Sequence, residues 1–440
     1  MLYDIVKALP NRMVSEGGSL LLIRFFNIGA GFLTVTVLAR YLGPADYGIY
    51  AFVIAICGAL SLGLHLGLPT LIVREIAANY ARGEMRTASA IERFSLRLIL
   101  STSSVFAIGG AVIMCSPEAI SRTGGLEPVI GMAAAISVAM ALQQRALAIL
   151  SGRGLLVKAQ FSDGIIKPML LLFSASILFI ASSRSVEMAL IAFFLGCIGS
   201  LLLSRYFISQ TQPKPCGFEV RRGQIGTWLR QLPPFALIGV LGIVQSAADV
   251  VILSAFVPIA DVGKYKVAAL IGAIPANLHS IVVSMLMPRA AAAWARNDKA
   301  ILSTLAIHAS RSSFVAAAAY SIFIVIFGHS LIEVLFGVAY SGIYTVTCVL
   351  LLPCLTISFV GSSSTILNMC GESHLNSLIA AGSLAFGLLC MGVFSMLFGA
   401  VGTAVAASLT ALSISSFSWL AVRRRIGIRC DILASRHMTR

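Results

Sequence analysis

Charge is what this sequence has least of. Only 11% of its 440 residues are Asp, Glu, Lys or Arg, against 58% apolar. A domain folded in water carries roughly 25% charged residues, so the shortage excludes a soluble protein, and no polar stretch is long enough for a large soluble domain. Paired cysteines are missing as well. The nine Cys are scattered, mostly inside apolar runs, with no CxxC, which argues against a disulfide framework and a structural zinc site. No GxSxG, HExxH or Walker A string occurs, and His and carboxylates are few and dispersed, so no enzyme constellation forms and no metal or cofactor is expected. No basic patch is interleaved with aromatics, so the net charge of +15 does not point to nucleic acid.

What the chain has instead is long apolar runs, such as Leu96–Met114 and Leu384–Leu397. Strands of a membrane barrel alternate apolar and polar residues. Continuous runs satisfy their backbone groups in lipid as helices. A crossing needs about 20 residues, and twelve spans are expected: 18–39, 48–68, 95–115, 128–150, 162–181, 188–208, 233–256, 265–287, 308–328, 342–367, 375–398 and 401–422. Asp163 and Lys167 intrude at the start of the fifth. Lys7 and Arg12 precede the first run, but it continues from Leu20 to Ala39 without a small-residue cleavage site, so it reads as a retained span.

Lys and Arg are held on the cytoplasmic side of a membrane. With the N-terminus inside, 26 of the 32 fall in cytoplasmic segments, five fall outside, and Arg24 lies within the first span. An even span count with both termini inside follows. The positive charge is mostly this topological signal, and the tail Arg423, Arg424, Arg425 and Arg429 is expected near anionic lipid headgroups.

The chain echoes itself at an offset of 215 residues. Ala45-Asp46-Tyr47-Gly48-Ile49-Tyr50 matches Ala260-Asp261-Val262-Gly263-Lys264-Tyr265 as A-D-x-G-x-Y. One span later Arg74, Ala77, Ala78 and Tyr80-Ala81-Arg82 match Arg289, Ala292, Ala293 and Trp294-Ala295-Arg296 with a one-residue gap, and after the fourth and tenth spans Gly152 answers Gly371 at a slightly longer offset. The expected organisation is a six-helix lobe over 1–210, a cytoplasmic linker over 211–230 with Pro213 and Pro215, and a second six-helix lobe over 231–440 with a basic tail. Six is even, so the lobes form a parallel repeat, with a site between the halves and alternating access.

At Leu38-Ala39-Arg40-Tyr41-Leu42-Gly43-Pro44-Ala45-Asp46-Tyr47-Gly48 the chain resembles the Wzx-type polysaccharide and O-antigen flippases of the multidrug/oligosaccharidyl-lipid/polysaccharide (MOP) superfamily. Gly67-Leu68-Pro69-Thr70 through Arg74-Glu75-Ile76-Ala77 fits too, as do Gly263-Lys264-Tyr265 and Pro288. The resemblance spans the chain in architecture and about a tenth of it in motifs. It implies an all-α, V-shaped, MATE-like fold in the bacterial inner membrane. It also implies movement of an undecaprenyl-diphosphate-linked oligosaccharide from inner to outer leaflet. The implied partners are that glycan lipid, anionic lipids and polysaccharide polymerase or assembly proteins, with H+ or Na+ coupling or consumption of the flipped lipid as drive. A peptidoglycan lipid flippase usually has two more spans, and the A-R-Y-L-G-P string points away from drug antiporters. A cation-coupled exporter of small amphiphiles is the first alternative. A membrane polymerase or ligase is the second, although the long outer loop it needs is missing.

A sugar diphosphate needs a polar, cationic shelter to pass hydrocarbon, so intramembrane charge marks candidates. Arg24, with Asn27 on the same face, either grips the diphosphate with its fork of donors or snorkels to the surface. Asp249, with Gln245 a turn earlier, reads as a partner for Arg24, a coupling carboxylate or a locally paired Asp. Arg145, with Gln143 and Gln144, reads as a substrate contact or a helix end. Arg74 and Arg289 occupy equivalent cytoplasmic ends, as an entrance for anionic headgroups or as anchors. Asn277 and His279 read as interhelical hydrogen bonders, and His65 within Gly63-x-x-x-Gly67 as packing. Gly48 and Gly263 read as structural, supplying permissive backbone.

Overall fold

The computed structural model describes residues 11–114, 127–180, 185–211, 224–296 and 298–432, and these form helices without a strand. In order they are α1 (Asn11–His65), α2 (Leu68–Ala81), α3 (Met85–Met114), α4 (Glu127–Gly152), α5 (Leu156–Phe161), a π turn (Ser162–Ile166), α6 (Lys167–Ile180), α7 (Val186–Gln210) and α8 (Gln224–Ser254). Then come α9 (Ile259–Gly272), α10 (Ile274–Ala295), α11 (Lys299–Phe336), a 3-10 turn (Val338–Ile343), α12 (Tyr344–Val360), α13 (Ser363–Met369), α14 (Ser373–Ala421) and a closing π turn (Val422–Ile426). Among the described residues six helices are long and apolar enough to cross a membrane, or seven if the bent pair α9–α10 is one span. This is a multi-pass membrane protein.

Two long helices are interrupted by glycine. In α1 the backbone leaves helical geometry at Gly43 (φ 77°) ahead of Pro44, and in α14 it does so at Gly399 (φ 56°). At Gly399 the chain folds back on itself. Ser395 and Thr403 share a 2.7 Å hydroxyl hydrogen bond, and Gly387 lies against Thr410. The last two expected spans are therefore the legs of one helical hairpin. Several helices outrun their expected spans; α3, for instance, starts at Met85 rather than near 95. Hydropathy marks the part of a helix that meets lipid, whereas hydrogen bonding continues beyond it.

Contacts divide the chain into two compact units, one of residues up to Leu42 with Phe52–Ala247, the other of Gly43–Ala51 with Ala248–Arg440. In the first, α4 packs on α2, α3 and α7, and α6 packs on α7. Its apolar core includes Leu71, Ile72, Ile91, Ile149 and Trp228. Trp228 sits in the first turns of α8, tilted against Phe94 at 5.4 Å, with its indole Nε1 donating to Glu75 at 3.4 Å. In the second unit α12 packs on α9, α11 and α14, around a core of Leu302, Ile366, Val422 and Cys430. Buried Ser and Thr are frequent, including Ser200, Ser310, Thr347 and Thr403, as expected where helices approach closely in lipid. Large apolar side chains such as Phe327, Leu389 and Phe398 face outward.

After the closing π turn, Gly427 takes the left-handed conformation (φ 78°) that commonly ends a helix. The chain then turns back into the second unit. Ser303 Oγ donates to the Arg429 carbonyl at 2.9 Å, Ser310 Oγ to that of Cys430 at 2.6 Å, and Arg311 Nε to that of Ile432 at 3.2 Å. Trp419 Nε1 donates to Asp431 at 3.1 Å. Cys430 is fully buried, and burial pushes its thiol up to about 11. Arg423, Arg424 and Arg425 remain exposed, but the segment carrying Arg429 is folded into protein rather than spread along a lipid surface. Arg436 and Arg440 lie outside the described residues.

Candidate functional site

In the first unit the fifth span carries its charge on a π turn. This wider turn is uncommon inside α-helices and frequent at functional sites. Asp163 and Lys167, one turn apart, form an ion pair at 3.7 Å. The buried Gln143 of α4 joins them. Its Nε2 donates to Asp163 Oδ1 at 2.7 Å and to Ser200 Oγ of α7 at 3.1 Å, and its Oε1 accepts from Lys167 Nζ at 3.4 Å. Lys167 also lies over the Phe193 ring, 5.2 Å from its centroid. The two charges cancel and the amide satisfies both, which is how a membrane interior tolerates ionised groups. Asp163 is the more open member, its side chain 37% exposed against 18% for Lys167.

Helix α1 crosses this cluster. A Cβ placed on Gly164 would lie 2.8 Å from Ile23 Cγ2 and 3.8 Å from Asn27 Cβ. The absence of a side chain at 164 lets α1 approach, and it brings the expected site residue Asn27 beside the charged turn. Arg24 is exposed on α1, three residues before Asn27. The result is a carboxylate, an ammonium and the Gln143 amide joined within apolar helices, with Asn27 on the neighbouring face of α1. A carboxylate accepts hydrogen bonds and an amide both donates and accepts them, so both can pair with sugar hydroxyls.

Arg145 turns elsewhere. Its Nε donates to Ser95 Oγ at 2.9 Å and its Nη2 to the Glu92 carbonyl at 2.5 Å, both on α3. Eight residues on, Arg153 grips the Glu92 carboxylate with two nitrogens, the shortest contact being 2.7 Å, and also reaches the Ile208 carbonyl of α7 at 3.0 Å. The Arg153 and Glu92 side chains are 2% and 11% exposed. Together the two arginines tie α3, α4 and α7. This geometry makes Arg145 an interhelical tie, seven residues before the end of α4.

Of the remaining expected residues, Gln144 and Asn277 are exposed and His279 is buried. Arg74 is exposed and pairs with its neighbour Glu75 at 2.9 Å. The side chains of Gln245 and Arg289 lie outside the described residues. Asp249, in the second unit, lies near the buried Tyr265, and its Oδ1 accepts from the Val250 amide at 2.8 Å. Tyr265 is the last residue of the second A-D-x-G-x-Y string. The glycines of the two strings meet. A Cβ on Gly263 would run into the Pro44 carbonyl and the Gly48 backbone, and one on Gly48 into the Ile259 carbonyl. Neither glycine has a positive φ. Close approach, and not the permissive backbone expected from the sequence, is what requires glycine at both positions.

Asp163, Lys167, Glu92 and Arg153 were not among the expected site residues. An i, i+4 charge pair inside an apolar run was a readable signal for the first two. Nothing local signals the second pair, whose members are 61 residues apart.

Residues 13–294 match the family described as polysaccharide biosynthesis protein. The chain belongs to that family. Among curated proteins it is similar to the probable low-salt glycan biosynthesis flippase Agl15 of Haloferax volcanii, at 22% identity over 397 residues, 89% of this chain and 79% of that one. Among solved structures it shares its fold with an inward-facing multidrug resistance MATE family transporter of the MOP superfamily. The TM-score is 0.71 at 15% identity, covering 92% of this chain and 98% of that one. It shares the fold equally with the lipid II flippase MurJ in an inward closed conformation, with a TM-score of 0.72 at 12% identity, covering 92% and 87%. This polysaccharide biosynthesis protein is thus built on the fold expected for the MOP superfamily.

Proposed function

We propose that this polysaccharide biosynthesis protein is a flippase for a polyprenyl-diphosphate-linked oligosaccharide, with undecaprenyl as the lipid. In this reading it works by alternating access in a bacterial inner membrane, both termini are cytoplasmic, and an H+ or Na+ gradient or consumption of the flipped lipid drives it. The carrying observation is the Asp163–Lys167–Gln143 cluster beside Asn27 in a chain of this family. Such a cluster costs insertion energy, about 2.5–3.5 kcal/mol for a central charged residue, and packing alone would be better served by apolar side chains. Its mixed donors and acceptors suit sugar hydroxyls, and a phosphate would compete with Asp163 for Lys167. The relatives named as glycan and lipid flippases support the substrate class. The likeness to a multidrug transporter, equally strong in fold, supports export of small amphiphiles as the second reading.

Deletion in the native host tests this. The expected result is loss of surface glycan with accumulation of undecaprenyl-linked repeat units in the inner leaflet. Restoration is expected from the wild-type chain but reduced at least about tenfold by Lys167→Met and Asp163→Asn at equal membrane abundance, as when charged contacts of about 1.5–3 kcal/mol are lost. Normal surface glycan in the deletion strain, with altered drug tolerance, would favour the second reading.

A further inference from the structure

Each half has a break in its helices, at the end of the second expected span in the first unit and within it in the second. In the first unit α1 ends at His65, and α2 starts at Leu68 with Pro69 in its first turn. Between them Leu66 has φ 47° and Gly67 φ 76°. A leucine rarely adopts that left-handed conformation, and such outliers persist only where surroundings enforce them, often at moving parts. In the second unit α9 and α10 meet at Ala273 with a 40° bend, and Pro275 stands in the first turn of α10. Proline carries no amide hydrogen, so Pro275 cannot donate to the Ile271 carbonyl four residues before it.

Both breaks are capped from the third span of their own half. Tyr320 of α11 donates its hydroxyl to the Ile271 carbonyl at 3.0 Å, and Cys354 of α12 donates to the Gly272 carbonyl at 3.1 Å. Thr102 of α3 donates to the Leu64 carbonyl at 2.7 Å. The carbonyls of Leu98 and Ile99 also lie within 3.0 Å of Thr102, but they belong to its own helix. Thr102 and Tyr320 lie at nearly equivalent places in the repeat, 218 residues apart against the offset of 215. The breaks themselves are not equivalent: at that offset Ala273 pairs with Gly58, and Leu66 with Ile281. Two separately placed breaks have thus each acquired a cap from the third span of their own half. In lipid a freed carbonyl must find a donor, and a donor on another helix holds the joint in one geometry only while that contact lasts.

We propose that the joints at Leu66–Gly67 and Ala273 are hinges, and that Thr102 and Tyr320 are positioning residues whose hydroxyls hold each hinge in the geometry described. On this account α2 pivots against the rest of its unit, as α10 does in the other; the first pivot detaches the Thr102 cap, and the second loosens the Tyr320 cap beside that of Cys354. The link to transport rests on the flippase reading; the pivots themselves do not.

The test uses the full chain in lipid nanodiscs, with spin labels carried on unnatural ketone side chains. One pair sits at the exposed positions Arg82 and Leu195 in the first unit, another at Arg296 and Leu389 in the second. Double electron–electron resonance is expected to show two distance populations for each pair. Their ratio should change between about twofold and tenfold, the effect of losing one hydrogen bond, with Thr102→Val in the first unit and Tyr320→Phe in the second. Thr102→Ser, which keeps the hydroxyl, should restore the parent ratio. Coincident distributions in parent, Thr102→Val and Tyr320→Phe would overturn the proposal. A shift that serine fails to reverse would also overturn it, by assigning the effect to packing. Glycan output of the same variants is measured in the deletion strain. Shifted populations in a chain that moves no glycan would leave the hinges standing and remove the flippase reading.

Discussion

Gly263→Ala should yield a folded membrane protein of markedly lower thermal stability. The new methyl group would meet the carbonyl of Pro44 and come within 2.8 Å of the Gly48 amide nitrogen. These are backbone atoms, so no side-chain rotation relieves the clash, and the helices must separate. Overpacking usually costs about 1–3 kcal/mol, and a clash against backbone belongs at the upper end. In a unit of this size that lowers the thermal midpoint by about 6–12 °C, measured on detergent-purified protein. Gly48→Ala, which meets the Ile259 carbonyl, should behave alike. Asp261→Asn in the same motif is the control. Its ion pair with Lys264, at 3.2 Å, joins half-exposed side chains, and such pairs contribute about 1 kcal/mol at most. A midpoint unchanged by Gly263→Ala would show that the two motifs do not touch.

Arg153→Met should destabilise the first unit by about 3–5 kcal/mol, the usual cost of leaving one member of a buried ion pair behind. The orphan would be Glu92, while the Ile208 carbonyl and the Thr211 hydroxyl also lose a donor. Removing both charges in Glu92→Gln with Arg153→Met should recover more than half of that loss, because burying the pair was itself costly. Thermal midpoints of the two single variants and the double variant measure the coupling. Strictly additive losses would mean that the pair is not a unit.

These two expectations separate what could be read in the sequence from what could not. Apolar runs mark where helices cross, and the hairpin at Gly399 falls in the short gap expected between the last two spans. The echo of A-D-x-G-x-Y was visible as pattern. Its physical reason was not, because contact between Gly48 and Gly263 spans the full repeat offset and leaves no local trace. Asp163 and Lys167 are visible in the sequence as charges within the fifth span, and one helical turn makes them a single ion pair. Arg145 attracted attention for its charge, and only the position of α3 shows that its donors are already engaged. The basic tail followed a sound general rule about lipid surfaces. Ser303, Ser310 and Arg311, over a hundred residues away, instead draw the backbone around Arg429–Ile432 into the protein.

The central claim is that this fold shelters a phosphate-bearing sugar while it crosses oil, and reconstitution tests it most directly. Purified protein is placed in liposomes holding a fluorescent polyprenyl-diphosphate oligosaccharide, and an impermeant reagent that attacks the headgroup reports its leaflet. The account predicts that the protected inner pool becomes reactive far faster than in protein-free liposomes, and that Lys167→Met removes at least about nine-tenths of that acceleration, the effect of losing a contact to a charged group. Equal rates with and without the wild-type protein, under either an H+ or a Na+ gradient, would contradict it.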